Sequence, residues 1–188
     1  IASSAVGGDK IFVPSHGLTA LRPAPGQPSP AQEWRVEQIN PGTSSPILLG
    51  DNVYAINNAG VLNQANASTG ERGWRLRLTG PFSGSPVGAG TFLYAVNEKG
   101  LLQIIDTTAE EGAVAHTIDL ENTVLCTPSL ADGALFAVEW SDTLAPGTYI
   151  VLFDEPSLAA YRGELVELMM PSRQVGKGGK RRIDLQSR

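Results

Sequence analysis

One cysteine, Cys126, and two histidines, His16 and His116, supply all the thiol and imidazole chemistry of this 188-residue chain. A single thiol forms no intrachain disulfide and no cysteine-based zinc site. Cys126 lies between Leu125 and Thr127 in an apolar run, with no cationic neighbour to favour a thiolate, and reads as a small buried hydrophobe. His16 follows Pro14-Ser15 in a turn, and no Ser/His/Asp set can be assembled from spacing. The carboxylates Asp9, Asp51 and Asp132 recur at equivalent places. Recurrence points to turn chemistry, because catalytic residues break the symmetry of a repeat. Asn57-Asn58 and Asn97-Glu98-Lys99 recur in the same way. They read as polar turns, and Asn57, Asn58, Asn97 and Lys99 are the candidates for contacts with a partner if those turns lie on a binding rim. No catalytic, cofactor-binding or metal-ligating residue is assigned.

The elements that carry these residues follow from composition and spacing. Charged residues make up only 18% of the chain and hydrophobic residues 41%, which excludes a charge-driven disordered chain. Gly (21) and Pro (13) are frequent but not periodic, so collagen is excluded, and no apolar window is long enough for a membrane helix. The charge is lopsided: residues 1–172 hold 8 Lys/Arg against 18 Asp/Glu, and residues 173–188 hold 6 Lys/Arg against 1 Asp. An acidic body does not suit a phosphate backbone, so nucleic acid is not expected as a partner.

Four segments share one pattern: they begin at Ser4, Ser45, Ser85 and Thr127, with steps of 41, 40 and 42 residues. Gly17, Gly60 and Gly100 open the next apolar run in three of them, and Trp34, Trp74 and His116 each stand 11 residues before the next anchor. Each unit reads as four short strands. A run after the anchor leads into a Gly-Asp type turn (Gly8-Asp9, Gly50-Asp51, Gly90-Thr91, Asp132-Gly133), where positive φ is tolerated. A β-branched and aromatic strand follows, such as 52–56 or 92–96, then a polar Gly turn, then strand three (61–64, 101–105). The last strand alternates, as in Trp74-Arg75-Leu76-Arg77-Leu78, so Arg75 and Arg77 face solvent. A period near 40 with four strands per unit is the signature of a β-propeller blade. The expected fold is all-β: a partial propeller of about 3.5 blades over residues 1–153.

Residues Gln64-Ala65-Asn66-Ala67-Ser68-Thr69-Gly70-Glu71-Arg72-Gly73-Trp74 resemble the blade motif of the pyrroloquinoline-quinone-type (quinoprotein-like) propellers, Ala-x-Asp-x-x-Thr-Gly-x-x-x-Trp. Thr69, Gly70 and Trp74 match, Asn66 stands for the Asp and Gln64 for the Ala. Residues 104–116 resemble a degenerate copy, with Asp106 kept, Thr-Gly lost and His116 in place of Trp. Residues 20–34 keep Trp34 around an insertion containing Pro23, Pro25, Pro28 and Pro30. No Trp-Asp ends a strand, which sets the chain apart from WD-type propellers. The resemblance implies that Trp34, Trp74, Thr69 and Gly70 dock one blade on the next. It implies no quinone site in each repeat.

After Val138 the repeat fails. Residues 149–153 are expected to form a strand. In residues 154–188, the spacing of Leu158, Tyr161, Leu165, Leu168 and Met169 behind Pro156 predicts a short amphipathic helix, and the basic residues 173–188 are expected to be a flexible tail.

Two functions are open at this level. The first is a non-catalytic scaffold that binds a protein partner, with no cofactor, similar to envelope proteins of the same repeat type. The second is a piece of a quinone-dependent dehydrogenase, holding pyrroloquinoline quinone and calcium through residues elsewhere. The absence of a Cys-Cys pair and of a mappable calcium set favours the scaffold. The resemblance further implies an extracytoplasmic, periplasmic bacterial location, with the remaining blades of a parent propeller or a second copy as structural partners. A fragment of a longer propeller is expected.

Overall fold

The computed structural model describes residues 2–131, 134–138, 148–152, 166–169 and 180–183. All its regular elements among the described residues are strands. Blade 1 holds β1 (Ala5–Gly7), β2 (Lys10–Pro14), β3 (Leu18–Arg22) and β4 (Ala31–Val36). Blade 2 holds β5 (Ile47–Leu49), β6 (Asn52–Ile56), β7 (Val61–Asn66) and β8 (Arg72–Arg77). Blade 3 holds β9 (Val87–Ala89), β10 (Phe92–Val96), β11 (Leu101–Asp106) and β12 (Ala113–Asp119). The fourth sheet adds β13 (Ser129–Ala131), β14 (Ala134–Val138), β15 (Thr148–Leu152), β16 (Val166–Met169) and β17 (Lys180–Ile183).

Within every sheet the strands lie in chain order and pair antiparallel. The first strands β1, β5, β9 and β13 are neighbours in sequence of blades, so they form the inner edge of the array. The turns between the first and second strands use left-handed glycines, Gly8 at φ 60° and Gly50 at φ 59°, where an L side chain would be strained.

The period-2 alternation of the second strands explains why blades stack. In β6, Val53 and Ala55 pack towards blade 1 with Phe12, Leu18 and Trp34. Tyr54 and Ile56 point the other way and pack with Leu93, Ala95 and Ile105 of blade 3. In β10, Tyr94 and Val96 pack with Leu135 and Ala137 of the fourth sheet. Three cores therefore lie between sheets, and each is fed by both neighbours. Side chains such as Leu62, Leu93 and Leu102 are fully buried there, and burying each contributes about 1.5–3 kcal/mol.

In all three complete blades the pairing of strands three and four slips by one residue, between Ala20 and Leu21, between Asn63 and Ala65, and between Ile104 and Ile105. Such a bulge re-aims the side chain beside it, and here it lies beside Trp34, Trp74 and His116.

The C-terminal expectation is corrected in part. Val166–Met169, read as the end of an amphipathic helix, is strand β16, paired with β15. Leu158, Tyr161 and Leu165 lie outside the described residues. Lys180–Ile183, read as flexible tail, is strand β17 at the edge of the same sheet, paired with β16. Among the described residues the fourth sheet holds five strands, two of them beyond residue 153.

Candidate functional site

The recurrent residues assemble into seams between blades. The backbone N–H of Ser3 donates to Oγ of Ser45 at 2.9 Å, that of Ser45 to Oγ of Ser85 at 2.8 Å, and that of Ser85 to Oγ1 of Thr127 at 2.9 Å. The anchor of the first unit is thus Ser3, one residue before the expected Ser4, and the steps become 42, 40 and 42. A proline follows each of the last three anchors, so the strand enters the sheet with a fixed φ and a bond from its neighbour. The links leading to the first strands are also tied together. Ser44 Oγ donates to the Gly84 carbonyl and Thr43 Oγ1 to the Phe82 carbonyl, both at 2.7 Å. Phe82 is buried in the core between blades 2 and 3, so it packs between blades.

At the outer end of the first two seams an indole closes on a glycine. The Trp34 indole N–H donates to the Ala67 carbonyl of blade 2 at 3.1 Å. Its ring lies over Gly70, where a Cβ would come within 2.7 Å of Cδ2. On its other side it meets Phe12 of its own blade at 5.8 Å between ring centroids. Trp74 repeats the ring contacts one blade on. Tyr54 lies 5.6 Å from it between ring centroids, and Gly112 of blade 3 sits beneath the indole, where a Cβ would come within 2.8 Å of Cδ2. Sequence reading missed Gly112, because it stands six residues beyond Asp106, whereas Gly70 stands four beyond Asn66. The third copy has therefore kept the docking glycine. The signal that finds it is spacing backwards from His116: both glycines stand four residues before the tryptophan column.

Thr69 has a different role from the one the motif implies. It is exposed, and its Oγ1 accepts the Glu71 N–H at 3.1 Å. The Asn66 carboxamide oxygen accepts the N–H groups of Ser68 (2.9 Å) and Thr69 (3.0 Å). Asp106 does the same for Thr108 at 2.8 Å. Thr69 and Asn66 shape the turn, while Gly70 makes the contact with the neighbouring blade.

The candidate rim residues separate into two kinds. Asn57 Oδ1 accepts the Ala59 and Val61 N–H groups at 3.0 and 2.9 Å. Asn97 does likewise for Lys99 and Leu101, both at 2.9 Å, and its Nδ2 donates to the Thr79 carbonyl at 3.0 Å. Asn97 is 1% exposed, so it cannot meet a partner and is withdrawn as a contact. Asn58 and Lys99 are exposed at the tips of those two turns. Leu125, also exposed, stands in the link beside the turn of Lys99, where the Val124 N–H donates to the Glu98 carbonyl.

The inner edge offers little chemistry. Its strands read Ala-Val-Gly, Ile-Leu-Leu, Val-Gly-Ala and Ser-Leu-Ala. None of these supplies a carboxylate or an amide side chain to hold calcium or a quinone, both of which need polar donors. Among the described residues, no group of three or more His, Cys, Asp or Glu could hold a metal ion. Blade 1 carries a cluster of ion pairs, where Lys10 Nζ and Arg22 Nε each lie 2.5 Å from Glu33 and Arg22 also reaches Asp9 at 3.2 Å.

The family model described as outer membrane protein assembly factor BamB, a pyrroloquinoline-quinone-type repeat model, matches residues 1–108 and 60–154. The chain belongs to this family. Solved structures agree on the fold. BamB from Moraxella catarrhalis has a TM-score of 0.55 at 17% identity, covering 93% of this chain and 70% of its own. Apo AztD from Citrobacter koseri scores 0.58 at 14% identity, covering 80% and 42%. The N-terminal domain of Nup159 scores 0.56 at 11% identity, covering 95% and 49%. The chain thus spans 70% of the first of these and less than half of the other two. No curated protein sequence matches it. The seams described above are the BamB-type repeat at work: a β-propeller array whose recurring residues serve architecture.

Proposed function

We propose that the chain is a non-catalytic propeller scaffold of the bacterial envelope, part of a longer propeller, which presents the rim of Asn58, Lys99 and Leu125 to a protein partner. The observation that supports this reading is that the recurring residues are used in the seams between blades, while the inner strands carry no carboxylate or amide side chain. Membership in the family described as an outer membrane assembly factor supports an extracytoplasmic place and a protein partner. An acidic body argues against nucleic acid. Among the described residues no helix is long and apolar enough to cross a membrane.

Photo-crosslinking tests the proposal. A crosslinking residue at Lys99 or Leu125 is expected to yield protein adducts in the envelope of a bacterial host, and one at Ser68, on the opposite rim, is not. Equal labelling from both rims would refute the assignment of the rim. Pyrroloquinoline quinone with calcium is expected to leave the melting temperature unchanged. A saturable rise of several degrees would restore the dehydrogenase reading.

A further inference from the structure

The outer strand of blade 2 carries a row of arginines that the seams do not use. Residues 1–172 hold 8 Lys/Arg, and Arg72, Arg75 and Arg77 among them stand exposed on β8. Their cross-strand partners are Ala65, Asn63 and Val61, which share one face of β7, so the bulge brings Arg72 into step with the other two. Trp74 and Leu76, half-buried, pack from the opposite face into the core between blades 2 and 3. β8 is also the open edge of its sheet. The Leu78 N–H donates to the Gly60 carbonyl, and the Asn66 N–H to the Glu71 carbonyl. Alternation along an antiparallel pair then turns the backbone N–H and C=O of Arg72, Arg75 and Arg77 outwards. Among the described residues, Arg72 and Arg75 have no ion-pair partner. Arg77 donates to the Ala59 carbonyl.

We infer that β8 is a docking edge for an extended acidic segment of a partner protein, which adds to blade 2 as a further strand. Alternate residues of that segment would set carboxylates beside the guanidiniums, and Arg75 and Arg77 follow each other at roughly 7 Å along the strand. The residues between them would lie against Trp74 and Leu76. The matching pattern is therefore Asp or Glu alternating with Val, Ile or Leu. Like charges on one strand face repel, and a row of carboxylates relieves that repulsion. The outer strands of blades 1 and 3 carry no row of one sign. β4 exposes Gln32, Glu33 and Arg35, and β12 exposes Ala113, Ala115, Thr117 and Asp119. A charge that served only to blunt an open edge would be needed on those strands as well. An anionic membrane is a poorer occupant, because 18 Asp/Glu against 8 Lys/Arg in residues 1–172 repel such a surface. The inference concerns a strand edge and not the turn tips of the rim, and its test is independent of them.

Fluorescence anisotropy with the full chain tests this, using a short labelled peptide that alternates Glu and Val. The peptide is expected to bind, and its counterpart alternating Lys and Val is not. Arg75→Gln combined with Arg77→Gln is expected to weaken binding about tenfold or more, and Arg35→Gln on β4 to leave it unchanged. These side chains are exposed, so the variants should keep the circular dichroism of the parent chain. Methylating the peptide amides that face β8 removes the strand hydrogen bonds without touching the charge, and is expected to abolish binding. That arm leaves the protein unaltered, so it decides the matter even if a variant folds poorly. No binding of the Glu-Val peptide, or binding that survives methylation or the paired arginine substitutions, would overturn the proposal. So would arginine-dependent binding to phosphatidylglycerol vesicles that is tighter than binding to the peptide, because the occupant would then be a lipid surface. A dimer by light scattering that the paired substitutions dissociate would overturn it too, because the occupant would then be a second copy.

Discussion

Trp34 of one blade covers Gly70 of the next so closely that a Cβ on the glycine would stand 2.7 Å from the indole. The glycine is required twice, once by this contact and once by its φ of 75°. Gly70→Ala is therefore expected to cost about 2–4 kcal/mol, from left-handed strain and overpacking together. Gly8→Ala is the control, because Gly8 has φ 60° and open space around it, and it should cost only the strain of about 1–2 kcal/mol. Denaturant midpoints of the two variants measure the difference.

The indole itself makes separable contributions. Trp34→Phe keeps most of the packing on Phe12 and Gly70 and loses the bond to the Ala67 carbonyl. A loss of about 1 kcal/mol is expected. Trp34→Ala also empties a site only 9% exposed, and should cost about 3–5 kcal/mol. Equal effects of the two substitutions in equilibrium unfolding would show that the hydrogen bond, and not the ring, holds the seam.

Ser85 carries the middle rung of the ladder, accepting from Ser45 and donating its own N–H to Thr127. Ser85→Ala leaves the Ser45 N–H without its acceptor and is expected to cost about 1 kcal/mol. Ser85→Thr keeps the oxygen, as Thr127 does at the equivalent place, and should remain near wild type. Thermal melts of the two variants decide the point.

Asn97 and Lys99 are neighbours in one turn with opposite roles. Asn97→Ala removes three hydrogen bonds from a buried site, and a loss of about 2–4 kcal/mol is expected. Asn58→Ala and Lys99→Ala change exposed tips and should stay within about 0.5 kcal/mol of wild type. If either tip substitution weakens the crosslinked complex at unchanged stability, that residue belongs to the partner surface.

The architecture was legible because strand alternation, glycine turns and a recurrent anchor all repeat near 40 residues, and each signal supports the others. Ser3 was missed because Ser3 and Ser4 are chemically the same, and only the bond to Ser45 breaks the tie. Gly112 was missed because two added residues moved it out of the column that a fixed period defines. Asn97 looked like a surface residue because a turn asparagine reads as polar; nothing in its type reveals that its amide reaches Thr79. Val166–Met169 misled for another reason. Apolar residues at spacings of three and four satisfy a helix, and Val166 and Leu168 equally satisfy one face of a strand, so pairing with β15 settles the matter.

Strand order within each sheet equals chain order, and each seam reaches back only as far as the preceding blade. Position along the polypeptide and position around the array therefore advance together. A blade leaving the ribosome finds its partner already folded and waiting, with no long loop to close. Assembly can be vectorial, each unit templated by the one before it, with each new blade covering the face that the last one left open.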